Sequence, residues 1–564
     1  MVPSKKDPAA IYSGKEDNLD PGSSRLLGPV RWLAGLAYLQ ASRGGGMLHR
    51  LLVRKAVLDD CARPENYRPI INCRGFIRVI VPFQSPSSSA RNRSSCPLNY
   101  LLCLANTCLP ESILPSIIEH SSSLVMSDQT PCVLVTGFTG LLGKVVVQEL
   151  CRRQLQNLLP DHKILLLIRP SKDRSAAERF TRTTKAICFS KLEDTWQDLV
   201  QVIEGDLCTP DLGLQRDIYA DLARRVTHII HCAASIDFDL PLQEASRSNV
   251  DTSMNVLELA RKCPNLRQLV DTSTAYVSTC QEGTITEALA PLPLNMSPSQ
   301  LHYSIQKGLI DEAELLASSG HANTYTVTKC LSEHLLFEEY GNVPVTIVRP
   351  SIISAAQEYP FPGYIDSYAA MGGFVSLFGS GFLHVIEGDP TASFDVVPVD
   401  FVASRIIEES QLAVYSEDRQ TSTTKGSFKI VHCVAGLKDS ISTPDFRRIG
   451  LDYFANVKSI RKPFWAYTGP RDWHYYWYKW TSQTIPLQLA TWFFAAIQNK
   501  AMSKQMTIIK RGIEKVDATF PYFCLHTFDF ATERRIDEGF ASTEYIQVMI
   551  QGVHRHLLRR ELYV

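Results

Sequence analysis

Tyr325 and Lys329 stand four residues apart in Asn323-Thr324-Tyr325-Thr326-Val327-Thr328-Lys329, so on a helix they share one face. That pair could move a proton. A tyrosine titrates near pH 10 in water, and a neighbouring ammonium that stabilises the phenolate lets it give and recover a proton closer to neutrality. A third group is expected at the end of a strand, in Asp271-Thr272-Ser273-Thr274-Ala275-Tyr276-Val277. Ser273 and Thr274 would point to opposite faces of an extended chain, so only one can hydrogen-bond a substrate oxygen as charge develops on it. Thr274 is the expected one.

Tyr-x-x-x-Lys also occurs as an ordinary surface pair, and it gains meaning from a second string far upstream, Thr136-Gly137-Phe138-Thr139-Gly140-Leu141-Leu142-Gly143. Here glycine can turn the chain tightly at 137, let the backbone approach a pyrophosphate at 140, and permit close helix packing at 143. The anion would sit on the backbone amides that open the following helix, where the dipole favours negative charge. At the end of the second expected strand an acidic residue would select NAD, yet the sequence reads Ile168-Arg169-Pro170-Ser171-Lys172. Arg169 and Lys172 suit a 2′-phosphate, so NADPH is the expected cofactor. Asp206 and Leu207 close the third strand near the adenine, Ala233 lets the cofactor pass over the fourth, and Lys329 could also hold a ribose hydroxyl.

The elements that must carry these groups are legible as aliphatic runs alternating with helical stretches: Cys132–Val135, Lys163–Ile168, Gln201–Ile203, His228–His231, Leu266–Val270 and Val345–Val348. Such alternation predicts an α/β fold, a Rossmann doubly wound parallel sheet, over 126–430. The rhythm breaks near 430, and 431–564 reads as a smaller, mainly helical, aromatic-rich domain. Residues 1–125 carry 15 Lys plus Arg against 9 Asp plus Glu, with Gly44-Gly45-Gly46 and serine triplets, and read as a disordered extension. Met126, just ahead of the first strand, is an equally good natural start.

Composition excludes several classes. With 58 basic and 58 acidic side chains there is no global field to attract nucleic acid. The 15 cysteines include no Cys-x-x-Cys pair, which suggests a reducing compartment and no zinc site. His228 and His231 lie in an expected buried strand without a third ligand, so a structural role is expected and no metal. No uncharged apolar run is long enough to span a bilayer, and no signal peptide is evident.

With these residues in place the chain resembles the fatty acyl-CoA reductase family, which includes the plant male-sterility proteins, among the extended short-chain dehydrogenases. The likeness runs from about Val133 through Ile407. It rests on the glycine string, Ser273–Val277, Asn323–Thr326, Val348-Arg349-Pro350-Ser351-Ile352, Pro360-Phe361-Pro362-Gly363-Tyr364-Ile365-Asp366 and Asp395-Val396-Val397-Pro398-Val399-Asp400. The Pro-Phe-Pro-Gly stretch sets it apart from sugar epimerases and sterol dehydrogenases, which share only the cradle and the Tyr/Lys pair. The resemblance implies NADPH-dependent reduction of a long-chain acyl-CoA, with release of CoA, through an aldehyde to a primary fatty alcohol. A reductase that stops at the aldehyde is the alternative, followed by an epimerase or sterol dehydrogenase and by a non-catalytic NADP sensor.

Towards the C-terminus, Trp473, Trp477 and Trp480 fall at i, i+4 and i+7 and would form one stripe, followed by the apolar stretch Leu487–Ile497. Two readings stand: an interfacial helix with tryptophan at headgroup level, or a helical pair packed on the Rossmann domain or lining an acyl tunnel. The first makes 473–497 a peripheral membrane contact of an intracellular protein, on the endoplasmic reticulum or the peroxisome.

Overall fold

A computed structural model describes residues 130–559 except 279–282, 414–425, 458–460, 533, 535 and 537–539. The extension expected over 1–125 lies outside the described residues. Seven parallel strands form the central sheet: β1 (Cys132–Thr136), β2 (Lys163–Ile168), β3 (Val200–Glu204), β4 (His228–His231), β5 (Gln268–Thr272), β6 (Val345–Pro350) and β7 (Phe428–Cys433). Their spatial order is β3-β2-β1-β4-β5-β6-β7, so the chain reverses its direction of travel between β1 and β4. In an open α/β sheet the crevice at the carboxyl ends of those two strands is where ligands bind.

The strands read as continuous apolar runs because both faces are covered. Val133, Val135, Ile164, Leu166 and Ile168 enter one core together with Val145–Val147 of α1 (Leu141–Leu155). The alternate residues Cys132, Leu134, Leu165 and Leu167 enter the other, against Leu222 and Ala223 of α2 (Arg216–Arg225) and Val256 and Leu257 of α3 (Thr252–Lys262). Val327, Leu331 and Leu335 of α4 (Thr324–Glu339) form a third cluster with Leu301 and Leu315. The first core also receives Val402, Ala403 and Ile406 of α5 (Val399–Glu409).

Residues 127–564 cluster as a single compact unit. Strand β7 straddles the boundary expected near 430, pairing with β6 from Phe428↔Val345 to Cys433↔Pro350. Beyond it come α6 (Trp473–Lys479), α7 (Ile485–Ala496), α8 (Lys500–Thr519) and α9 (Ser542–Val553), so the C-terminal part is mainly helical. It is also stitched to the sheet domain: Asp529 and Phe530 pair in parallel with Thr284 and Ile285. Tyr545 donates to the Ala355 carbonyl at 2.8 Å.

Five buried histidines make the fold acid-sensitive. Burial pushes His228 down to about 3 and His231, His321, His384 and His432 to about 4. An unfolded imidazole titrates near 6.5, so the stability these neutral rings contribute is complete above that pH. It is lost as the pH falls from about 6.5 toward 4, because the unfolded chain takes up protons that the folded chain refuses. The urea midpoint is therefore expected to fall steadily across that window, and a flat midpoint would contradict the assignment.

Candidate active site

The turn after β1 is built around glycine. Gly137 has φ +78°, and a Cβ there would stand 2.7 Å from the Cys232 carbonyl group. A Cβ on Gly143 would lie 2.2 Å from the Gly137 oxygen, so the first turn of α1 packs directly on the loop backbone. Phe138 is buried beneath, 5.6 Å from the Phe180 ring and 6.0 Å from that of Phe189, and pins the loop down. Gly140 caps α1 without a side-chain acceptor. The amides of Leu141, Leu142 and Gly143 are thus left to a ligand at the positive end of the helix. The Leu141 and Leu142 side chains pack on the core, so these residues contribute through backbone alone. A loop this tight, ending in unpartnered amides, fits the pyrophosphate of a dinucleotide.

Thr136 turns its hydroxyl inward. Thr136 Oγ1 and His231 Nδ1 are 2.8 Å apart, and the Ala233 amide donates to the same oxygen at 3.3 Å. The pair therefore locks β1 to β4 under the crevice, which is the structural work expected of His231. At the outer end Thr139 is exposed and accepts from Arg179 Nη2 at 3.3 Å, while Arg179 Nη1 donates to the Arg169 carbonyl. Arg179 is a partner the sequence reading missed. It stands in the field of Arg169 and Arg174, and burial together with those two cations holds its pKa below the ordinary value. Lys172 is exposed on the same loop. Asp206 accepts from the Cys208 amide at 3.1 Å, and the Leu207 carbonyl is held by Asn255 Nδ2 at 2.8 Å, so this wall is fixed from α3.

Asn323 opens α4, its Oδ1 accepting from the Thr326 amide at 3.0 Å. Tyr325 in the first turn meets Thr274 just beyond β5. Burial raises the Tyr325 phenol well above its usual range, and the hydrogen bond with Thr274 draws it partly back. Lys329 is buried one turn on and donates to the Thr272 carbonyl at 2.7 Å. The expected lowering of Tyr325 by Lys329 does not follow from this arrangement. Lys329 Nζ has two N–H groups beyond the one given to the Thr272 carbonyl, and burial holds Tyr325 in its phenol form.

A polar scaffold beneath was not foreseen. Asn249, in the π segment Arg247–Asp251, accepts from the Ser235 amide at 2.8 Å and donates to Thr328 Oγ1 at 3.1 Å. Its short neighbour Ser253 donates to Asp271 at 3.2 Å, and Asp271 lies 3.9 Å from His231 Nε2. On the far side of α4, buried Arg349 and Glu333 pair through Nη2 and Oε2 at 2.5 Å, tying the helix to β6.

The mouth of the site is aromatic. Phe238 lies 5.5 Å from the Tyr325 ring and 6.3 Å from Phe523, whose edge-on neighbour at 4.8 Å is Tyr276. Phe523 comes from the C-terminal part, and Lys515 of α8 holds the Phe238 loop by a 2.5 Å ion pair with Asp237. The Pro360–Asp366 stretch is braced elsewhere. Asp400 accepts the amides of Gln357, Glu358 and Tyr359 at 2.7–2.9 Å, and Asp366 pairs with Lys144 of α1 and accepts from the Tyr364 hydroxyl.

Residues 135–406 match the family model described as male sterility protein. Fatty acyl-CoA reductase 2 of Mus musculus is 28% identical over 461 residues, spanning 76% of this chain and 85% of the relative. The chain belongs to the fatty acyl-CoA reductase family. Fatty acyl-CoA reductase 1 of Gallus gallus is 32% identical over 279 residues, 48% of this chain and 53% of that one. In fold, this family member is similar to the terminal R domain from the myxalamid PKS-NRPS biosynthetic pathway, with a TM-score of 0.53 and 19% identity over 77% of this chain and 93% of that chain. As a fatty acyl-CoA reductase relative with a nicotinamide-binding fold, the protein is an oxidoreductase.

Proposed function

We propose that the protein reduces long-chain acyl-CoA thioesters with NADPH to primary alcohols, releasing CoA. The observation that carries this reading is the aromatic wall of Phe238 and Phe523 beside Tyr325. An apolar surface next to the proton donor suits an alkyl chain and offers a sugar nothing to hydrogen-bond. The glycine loop would hold the pyrophosphate of NADPH, and Arg169, Lys172 and Arg179 would hold its 2′-phosphate; when bound, the cofactor would supply hydride for the carbonyl carbon. Thr274 and Tyr325 orient the carbonyl oxygen, and Tyr325 delivers its proton as charge grows there. Loss of CoA thiol from the resulting hemithioacetal gives an aldehyde, and a second round of hydride and proton gives the alcohol. Lys329 ties α4 to β5, and Asn249 ties α4 to the Ser235 loop, for both rounds. Burial pushes the nearby Cys232 thiol up to about 12, which keeps it protonated.

Incubation with NADPH and palmitoyl-CoA, followed by gas chromatography, tests the product. Hexadecanol is expected; accumulation of hexadecanal alone would replace the alcohol with the aldehyde. Failure to oxidise NADPH with acyl chains of any length would refute the reading. Two substitutions probe its parts. Arg179→Ala should raise KM for NADPH about 10-fold and leave NADH use unchanged, since only the phosphate contact is lost. Phe523→Ala should lower kcat/KM for palmitoyl-CoA about 10- to 100-fold with little effect on a short acyl chain, as expected for removing one apolar ring. Equal losses for both cofactors, or for both chain lengths, would contradict the respective role.

A further inference from the structure

The helix α7 is apolar on both sides. Leu487, Ala490 and Phe494 pack inward against Met502, Met506, Ile509 and Ile513 of α8 and against Leu377 and Phe382. The outward side then repeats the pattern with Leu489, Trp492 and Phe493, and α6 with the segment after it adds Trp473, Trp477 and Trp480. These four tryptophans and Phe493 are between 57% and 69% exposed. The hairpin is rooted firmly, because buried Gln483 accepts from the amides of His384 and Val385 at 2.7 and 2.6 Å. Its outward face is therefore a fixed surface, and such a face is uncommon on a water-facing helix.

Charge says what covers it. From Trp473 through Ile513 the sequence contains no Asp or Glu, against Lys479, Lys500, Lys504, Lys510 and Arg511. Lys479 is taken by Asp517 at 2.8 Å and exposed Lys510 lies 3.9 Å from Glu514, while Lys500, Lys504 and Arg511 are exposed. In a chain whose charges otherwise balance, this is a local cationic margin around an aromatic face. No helix of the described residues is long and apolar enough to cross a membrane. Tryptophan and tyrosine suit the boundary between headgroups and acyl chains, and nearby cations are attracted to an anionic leaflet.

We infer that the α6–α7 hairpin and the basic edge of α8 dock on the surface of an anionic lipid bilayer. The inference is independent of the reaction assigned above. It takes up the interfacial reading of the tryptophan stripe, whose Trp473, Trp477 and Trp480 are exposed, while the inward side of α7 packs against α8 as a helical pair. The test is co-sedimentation of the full-length protein with phosphatidylcholine vesicles, with and without phosphatidylserine, alongside tryptophan quenching by brominated lipid. Binding is expected to phosphatidylserine vesicles, with quenching, and weakened by high salt. The combined variant Trp473→Ser, Trp477→Ser, Trp492→Ser and Phe493→Ser should bind at least ~10-fold more weakly with an unchanged Tm. Wild-type protein that ignores both vesicles, or a folded variant that binds as well, would overturn the inference. So would a wild-type dimer that the variant dissolves while vesicles stay unbound, which would make a second copy the occupant. Should the variant not fold, unquenched tryptophan in vesicle-bound wild type overturns it equally.

Discussion

Replacing Tyr325 with phenylalanine is expected to lower kcat for acyl-CoA reduction about a thousandfold while NADPH affinity stays within a few-fold. The substitution removes one oxygen and leaves the ring against Phe238, so the aromatic wall survives. What goes is the proposed proton donor and, with it, one of the two groups proposed to steady the carbonyl oxygen. The environment of Tyr325 adds a pH signature. Burial raises the phenol above its ordinary value of about 10, so the acid form persists through neutral and mildly alkaline pH. Reduction by the wild type should accordingly show no descending limb assignable to this residue below about pH 10. An ascending or bell-shaped profile centred near 7 and lost in the phenylalanine variant would mean that Tyr325 works from an ionised state, contrary to the arrangement with Lys329 turned to Thr272.

Gly143→Ala is expected to remove most NADPH binding, at least ~100-fold in affinity, and to lower stability by about 1–3 kcal/mol. A Cβ at this position would meet the Gly137 oxygen at 2.2 Å, the Gly137 carbon at 2.6 Å and the Phe138 nitrogen at 2.9 Å. All three are backbone, so the helix must move away from the loop or the loop must open. Either movement carries the Leu141 and Leu142 amides out of reach of the pyrophosphate. Fluorescence titration with NADPH and thermal unfolding separate the two effects. Retained affinity at an unchanged Tm would show that the loop does not cradle the cofactor.

Six of the seven sheet strands were readable as short apolar runs; five are buried on both faces, and β3 at the sheet edge is only half-buried. The fifth was displaced: the run Leu266–Val270 is observed as Gln268–Thr272, because Leu266 closes a turn onto Cys263 and pairing with β4 and β6 sets where the strand begins. The seventh, Phe428–Cys433, was lost because its exposed Lys429 interrupts the apolar run at the sheet edge and the expected domain boundary fell within it.

At the site, the glycine loop and Tyr325 were legible because both depend on fixed local spacings. Arg179 left a signal, the basic run from Arg169 to Arg182, although only folding of α1 and the following segment brings Arg179 to Thr139. Asn249 left none, since a five-residue π segment is too short to show a period. Phe523 could not be found from sequence either. It reaches Phe238 from 285 positions away in the chain, through the packing of α8.

The central claim, acyl-thioester reduction at the Tyr325 edge, is tested most directly by following NADPH absorbance and free thiol together as the purified protein consumes palmitoyl-CoA. Two NADPH oxidised for each CoA released is the expected ratio, with both signals lost together in Tyr325→Phe. Thiol release without NADPH oxidation, or full activity in the phenylalanine variant, would contradict it.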